Sequence, residues 1–350
     1  MSLRRQVLRW RTILPLLVVI ILLVLLAQHL SLELNPQAIA AALARANLWL
    51  FLGALLAFYA SLVLRVARWQ LLLENVGYRK EWGKPLPGFI SLTKILLLSW
   101  FANVVVPAKL GDLYRAYLLR QEADVSTTRA FGTVVAERSI DLIALPLFFL
   151  VALLVSLHGQ LPPQIELALQ VCLALVAALI GGLVALRLWR QGIGRLVPAR
   201  FRQHYEHFQA GTLGSFKRLH LLAPLTIVIW VVESLRFLLV ALAVGLLSGS
   251  PAHIFAAAFL IALGESLLTT VPLTSGGVGF VEAGMFAMIL LFVPHTGAAQ
   301  NLAGAAIVLD RLISLVSLLV FGGILFFFVV VVGKRLKRRT SQRASRSIVS

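Results

Sequence analysis

This sequence is short of charge, of cysteine and of any extended polar stretch. Charged residues make up 13% of its 350 positions, against about 25% in an ordinary soluble domain, which excludes a water-soluble fold. The one cysteine, Cys172, sits in an apolar run and cannot form an intramolecular disulfide, so it carries no signal of redox compartment. His204, His207 and His220 lie in a basic stretch without the tight spacing of a metal site and read as surface residues; no metal or cofactor is expected. The stretch "GYRKEWGKP" puts five positions between Gly77 and Gly83 and lacks the terminal Ser or Thr of a phosphate-binding loop, so no ATPase is expected. The longest non-apolar stretch, about 190–221, is too short for a nucleotide-sugar or aminoacyl-transferase domain.

What remains is hydrocarbon. Hydrophobic residues make up 60% of the chain, and the mean hydropathy of +0.93 describes a polytopic helical membrane protein. A spanning helix needs about 20 apolar residues. Windows of that kind fall at 12–30, 48–66, 137–157, 168–188, 222–247 and 302–332. The net charge of +18 follows the sidedness of these spans and not a nucleic-acid partner. Of 32 Lys and Arg, 27 fall in residues 1–12, 65–84, 107–129, 187–218 and 334–350, which the positive-inside rule puts on the cytoplasmic side with both termini. The first span, behind Arg4, Arg5, Arg9 and Arg11, lacks a small-residue cleavage site and reads as an uncleaved anchor. One integral membrane domain over 1–333 and a disordered basic tail over 334–350 follow. Trp49, Trp69 and Trp100 fall near predicted interfaces, and the aromatic and basic residues of 198–219 suggest a helix lying on the inner leaflet.

Two apolar stretches, 89–106 and 253–293, break this alternation. Counting 89–106 as a full span would place the cations of 107–129 outside, so a re-entrant hairpin from the cytoplasmic side is expected there. The segments 253–271 and 280–293 then form a second hairpin from the outer side. Irregular backbone at membrane depth is tolerated only where protein buries it or a wet cavity lies beside it, so two opposed hairpins imply a cavity between them. Pro107 ends the first arm and Gly111 permits a turn before a helix with Asp112 near its start. Pro272, then Gly276, Gly277 and Gly279, precede a helix with Glu282 in its first turn, and a glycine-rich turn of that kind offers N–H groups to an anion. The shared proline-to-glycine spacing with opposite entry sides suggests an inverted repeat whose broken segments form a transport site.

Three ordered motifs carry a resemblance. Asn103, Pro107, Gly111, Asp112 and Arg115 come first, then Glu137, Arg138 and Asp141, then the run from Pro272 to Glu282. Together, over about residues 10–332, the chain resembles the family named for the lysylphosphatidylglycerol synthase transmembrane region. The resemblance implies a flippase-like helical domain with re-entrant segments in the bacterial inner membrane. Ser275 departs from it, standing where many relatives carry a second proline. No soluble aminoacyl-transferase domain follows residue 333, so synthase activity is not expected.

Ionisable side chains inside apolar segments cost roughly 2.5–3.5 kcal/mol each at a helix centre and should face inward. Glu137, Arg138 and Asp141 share one helical neighbourhood, either as an internal staple or with Arg138 joining Lys109 and Arg115 on a lipid phosphate. Asn103, Asp112, Ser275 and the three glycines complete that headgroup site. Glu233 with Arg236, and Asp310 with Arg311, read as structural pairs whose acids are also candidates for ion coupling; Asp310 and Arg311 diverge by about 100° and should pair with other helices. Glu265 has no cation near it in sequence and is the leading candidate for proton exchange. Lys94 reads as a snorkelling residue. The favoured function is a lipid translocase without its own ATPase, acting on an anionic or phosphate-bearing lipid, with an envelope-synthesis enzyme encoded separately as a possible partner. An integral-membrane transferase using Asp112, Glu137 and Asp141 on a lipid-linked donor, or a lipid-binding scaffold, are the alternatives.

Overall fold

The computed structural model describes residues 34–78, 86–106, 109–123, 125–157, 163–189, 197–270 and 274–332. The first expected span, Pro107, Pro272 and the basic tail lie outside the described residues. Among those described the chain is helical throughout, with no strand. This is the outcome the bilayer imposes on a long apolar chain, because a helix satisfies its own backbone.

Two short-range caps start the chain's order. Asn35 accepts hydrogen bonds from the Gln37 and Ala38 N–H groups at the head of α1 (Pro36–Ala44), and Asn47 does the same for Trp49 and Leu50 at the head of α2 (Leu48–Asn75). Helix α3 (Phe89–Val105) stops where Val106 turns extended, as the residue before a proline prefers. Then come α4 (Leu110–Ala123), α5 (Thr127–Leu157) and α6 (Pro163–Leu188). Helix α7 (Ala199–Gly214) runs through a tight turn at Ser215–Arg218 into α8 (Leu219–Ala243). Helix α9 (Pro251–Thr270) precedes the second break, followed by a 3-10 turn at Ser275–Gly277, α10 (Phe280–Ile289) and α11 (Gly297–Arg311). The last helix continues through a widened π turn at Leu312–Ser317 to Val332.

Four stretches among the described residues are long and apolar enough to cross a membrane: Leu48–Asn75, Ala199–Ala243, Pro251–Thr270 and Gly297–Val329. The arm expected at 253–271 therefore has the length of a span, about 30 Å at the helical rise, while α10 does not. Exposed Leu48, Trp49, Leu52 and Leu56 on α2, and Ile227, Val231 and Leu235 on α8, give the outside an apolar surface suited to lipid.

Helices α2 and α8 pack along each other antiparallel. The Asn47 N–H donates to the Ala243 carbonyl at one end (2.9 Å), and Asn75 Nδ2 donates to the Ser215 carbonyl at the other (2.8 Å). Ala54 and Phe58 join Phe237, Val240 and Ala241 in the core between them. The order long, medium, short, long runs through α2–α5 and again through α8–α11. The helix ahead of each set crosses over: α7 docks on the start of α5 and α1 on the start of α11, where the Asn35 N–H donates to Asn301 Oδ1 (2.8 Å).

Several expectations need correcting. Helix α2 does not stop near residue 66 but continues two more turns, so Arg65 and Arg68 are buried helix residues and not loop cations. Trp69 is fully buried instead of interfacial, and Trp100 packs on Phe58; only Trp49 stays exposed. Gly111 lies inside α4, not in a turn. A Cβ there would stand 2.1 Å from the Ser99 carbonyl, so glycine is required by the close crossing of α3 and α4. The positive φ at that break belongs to Lys109 (51°). The 198–219 segment forms α7 and the turn after it, with one side packed on the protein: Gly211 and Thr212 lie against α5, and Gln209 Nε2 donates to the Leu186 carbonyl of α6 (2.6 Å).

A Cβ on Gly211 would lie 2.2 Å from the Arg129 carbonyl, a backbone atom that cannot swing away. Gly211→Leu should destabilise the purified protein by about 1–3 kcal/mol through overpacking and so lower its Tm. Gly181→Leu on α6, where an added Cβ meets nothing within 4 Å, should not. Equal melting of the two variants would contradict this docking.

Candidate functional site

The charged side chains carried by the apolar helices converge on one interior region. Arg68 of α2 makes a two-pronged contact with Asp141 of α5 (2.7 and 2.8 Å) and reaches Glu137 (3.4 Å). Arg115 of α4 donates to the other oxygen of Glu137 (2.7 Å), with its guanidinium 4.7 Å from the Trp69 ring centre. Arg65 bridges Asp141 (3.6 Å) and Glu233 of α8 (3.3 Å) and lies 4.9 Å from the Trp230 ring centre. Arg236, one turn on from Glu233, bonds to it (3.2 Å), to Glu265 of α9 (2.6 Å) and to Asp310 of α11. Ser61 donates to Glu233 (2.7 Å). Side-chain exposures of 0% for Arg68, 1% for Arg115 and 3% for Arg236 show why each needs a partner: an unpaired charge at this depth is expensive.

Two further pairs sit at the edge of this network. Arg138 of α5 holds Asp112 through both carboxylate oxygens (2.9 Å each), and Asn103 Nδ2 also donates to Asp112 (3.1 Å). Arg311 of α11 pairs through Nε with Glu282 (2.9 Å), whose other oxygen accepts from the Gly279 N–H (2.6 Å). Asp112 and Glu282 are each the third residue of the helix that follows a break. Asp310 and Arg311 pair with different helices, as their angular divergence on α11 requires.

Beside these pairs lies a cavity of about 220 Å³, room for several waters. Asn103, Val104 and Lys109 from the first break line it, as do Thr270, Thr274 and Gly276 from the second. The neighbourhoods of both breaks thus meet across one polar hollow; a Cβ on Gly276 would stand 3.5 Å from Val104. Arg65, Arg138, Arg236 and Arg311 reach its wall, alongside Glu137, Asp141, Glu233 and Glu265. Trp230, buried in that wall, has an indole N–H without a hydrogen-bond partner. The π turn directly after Arg311 sets Ser314 and Leu315 toward the cavity, a use of widened helix common at functional sites.

The expected headgroup residues divide. Asn103, Lys109, Arg138, Gly276 and Gly277 line the cavity; Asp112, Arg115, Ser275 and Gly279 do not. Arg115, expected at the headgroup site, lies off the cavity, where its Nη2 donates to Glu137 and its guanidinium stacks over Trp69. The glycine turn is not an open anion cradle either: the Gly277 N–H donates to the Thr274 carbonyl (3.2 Å) and the Gly279 N–H to Glu282. Glu265, which has no cation near it in sequence, receives Arg236 from α8. Arg65 and Arg68, expected among the loop cations of 65–84, join the site instead. The signal for them was the apolar row Leu62, Val66, Trp69 and Leu73, whose helical spacing runs past residue 66. Lys94 is exposed, and His207 meets Ser126 (3.1 Å). Among the described residues no group of His, Cys, Asp and Glu is placed to hold a metal.

This constellation falls within a recognised sequence family, for a model described as the lysylphosphatidylglycerol synthase TM region matches residues 12–322. The chain belongs to that family. Among relatives of this family member, a UPF0104 membrane protein of Methanocaldococcus jannaschii is 30% identical over 235 residues, 65% of this chain and 94% of its own length. A UPF0104 membrane protein of Methanothermobacter thermautotrophicus is 27% identical over 324 residues, 85% of this chain and 90% of that protein. The glycosyltransferase AglD of Haloferax volcanii is 26% identical over 330 residues, 83% of this chain but 51% of AglD. A multi-pass membrane protein is what the family and the apolar helices support together.

Arg68→Gln leaves Asp141 short of its main partner and Glu137 with Arg115 alone. Thermal unfolding in detergent should record a loss of about 3–5 kcal/mol, the usual consequence of breaking a buried pair. Lys94→Gln, on an exposed site, should melt like the parent. A silent Arg68→Gln would contradict the staple.

Proposed function

We propose that the protein is a lipid translocase whose cavity shelters an anionic, phosphate-bearing headgroup while the acyl chains stay in the bilayer. The observation that carries this reading is the single polar hollow lined by residues from both breaks, in a chain whose exterior is apolar. Guanidinium groups on its wall suit a phosphate through paired donors. The antiparallel packing of α2 on α8 and the matching order of the two helix sets support an inverted repeat, in which the hollow sits near the membrane midplane between opposed broken segments. Six spans with two re-entrant hairpins, cytoplasmic termini and a bacterial inner membrane complete the proposal, on the distribution of cations. A separately encoded enzyme of envelope synthesis would supply or consume the lipid.

Three carboxylates, Glu233, Glu265 and Asp310, share the guanidinium of Arg236, and among the described residues only Glu233 of the three has a second cation, Arg65. An acid in excess of its counter-ions, reaching a wet cavity, supports proton coupling, and Glu265 meets both conditions. A second reading, an integral-membrane transferase using a lipid-linked donor, is favoured by the likeness to AglD. It would require Asp112, Glu137 or Asp141 to leave an arginine before acting as acid, base or metal ligand.

Purified protein in sealed vesicles should speed the bleaching by an impermeant reductant of a headgroup-labelled phosphatidylglycerol from the inner leaflet. A pH gradient should change that rate, and Glu265→Gln should remove the dependence on the gradient while leaving basal exchange. Unchanged bleaching, with the lipid converted to a new species, would overturn the translocase reading in favour of the transferase.

A further inference from the structure

Of the arginines in the network, two differ from the rest. Arg65, Arg68 and Arg236 each hold two or three carboxylates, and Arg115 is 1% exposed between Glu137 and Trp69, away from the cavity. Arg138 and Arg311 each hold one carboxylate, line the cavity, and have side chains 31% and 12% exposed. Their settings also match. Each follows an acid directly, Glu137 before Arg138 and Asp310 before Arg311, and each of those acids is tied to an arginine of the first long helix of its set, Arg68 on α2 or Arg236 on α8. Each pairs with the third residue of the short helix after its own break. Arg311 keeps Nη2 buried and without a hydrogen bond, a donor group ready for a further oxygen.

We propose that Arg138 and Arg311 are two equivalent phosphate stations, one in each half of the fold, and that Asp112 and Glu282 are built-in counter-ions which the lipid phosphate displaces. The proposal rests on the headgroup reading of the cavity and deepens it. A phosphodiester carries one negative charge and offers two oxygens to a guanidinium, as a carboxylate does. Exchange of one for the other therefore leaves the arginine neutralised throughout. Each displaced acid has a second partner waiting: Asn103 for Asp112, and the Gly279 N–H for Glu282. Because each acid belongs to the short helix after a break, its release removes one tie between that helix and the long helix that follows it, Arg115 with Glu137 remaining as a second tie in the first half. Phosphate arrival at a station is thereby linked to loosening of the same half.

The test is equilibrium titration of the detergent-purified full chain with water-soluble dihexanoyl phosphatidylglycerol. Removing a counter-ion raises the fraction of open stations, so Asp112→Asn and Glu282→Gln should each tighten binding about tenfold. Arg138→Gln and Arg311→Gln should each weaken it about tenfold, and the double variant should not bind. Arg311→Lys, which keeps the charge and its tie to Glu282, should bind at an intermediate strength and guards against loss through misfolding. Weaker or unchanged binding in both acid variants, or parental binding in the double arginine variant, would overturn the stations. The expected pattern, tighter binding in the acid variants and weaker binding in the arginine variants, alongside silent vesicles would count against transport and leave the stations standing.

Discussion

Ion pairs between helices set the limits within which the rest of this molecule is arranged. Arg68 with Asp141 ties α2 to α5, Arg65 with Glu233 ties α2 to α8, and Arg236 draws α9 and α11 to the same point through Glu265 and Asp310. In water such contacts would contribute little. In a hydrocarbon surrounding the alternative for each group is an unpaired charge, so the helices have few other ways to assemble. The hydrophobic effect cannot choose among helix packings inside lipid, since the solvent there is as apolar as leucine. Charge matching and close glycine contacts, such as Gly132 and Gly211 between α5 and α7, do the choosing.

The same pairs explain why a polar hollow can persist next to an apolar core. Cations and acids with their partners on neighbouring helices form its wall, and the two interrupted segments end on it. The correspondence of the two halves extends from element order to single residues: Arg68 and Arg236 stand equally far from the C-terminal ends of their helices, and Asp112 and Glu282 take the same place after their breaks. Antiparallel α2 and α8 give that correspondence an inverted sense, as the proposed translocase requires. The family and the UPF0104 relatives are consistent with a membrane module of this size.

The membrane class, the two breaks and most of the interior charges were legible from residue types alone, because the cost of a charge in lipid is the same wherever its partner lies in sequence. Partner identity was not. Glu265 looked solitary since Arg236 reaches it from another helix. Apolar run length alone ends the span near residue 66 and leaves Arg65 and Arg68 as loop cations, whereas their pairing with Asp141, Glu137 and Glu233 lets α2 run on to Asn75. Gly111 illustrates the same gap: its motif was visible, but the reason for it, the Ser99 carbonyl standing where a Cβ would go, is a contact between two helices.

The most direct test of the cavity as a headgroup chamber is electron cryomicroscopy of the protein in nanodiscs of anionic phospholipid. The account predicts phosphate density between the two breaks, within hydrogen-bond distance of Arg138 or Arg311, with acyl density leading out to the bilayer. Lipid density confined to the outer surface, with the hollow closed by rearranged side chains, would contradict it.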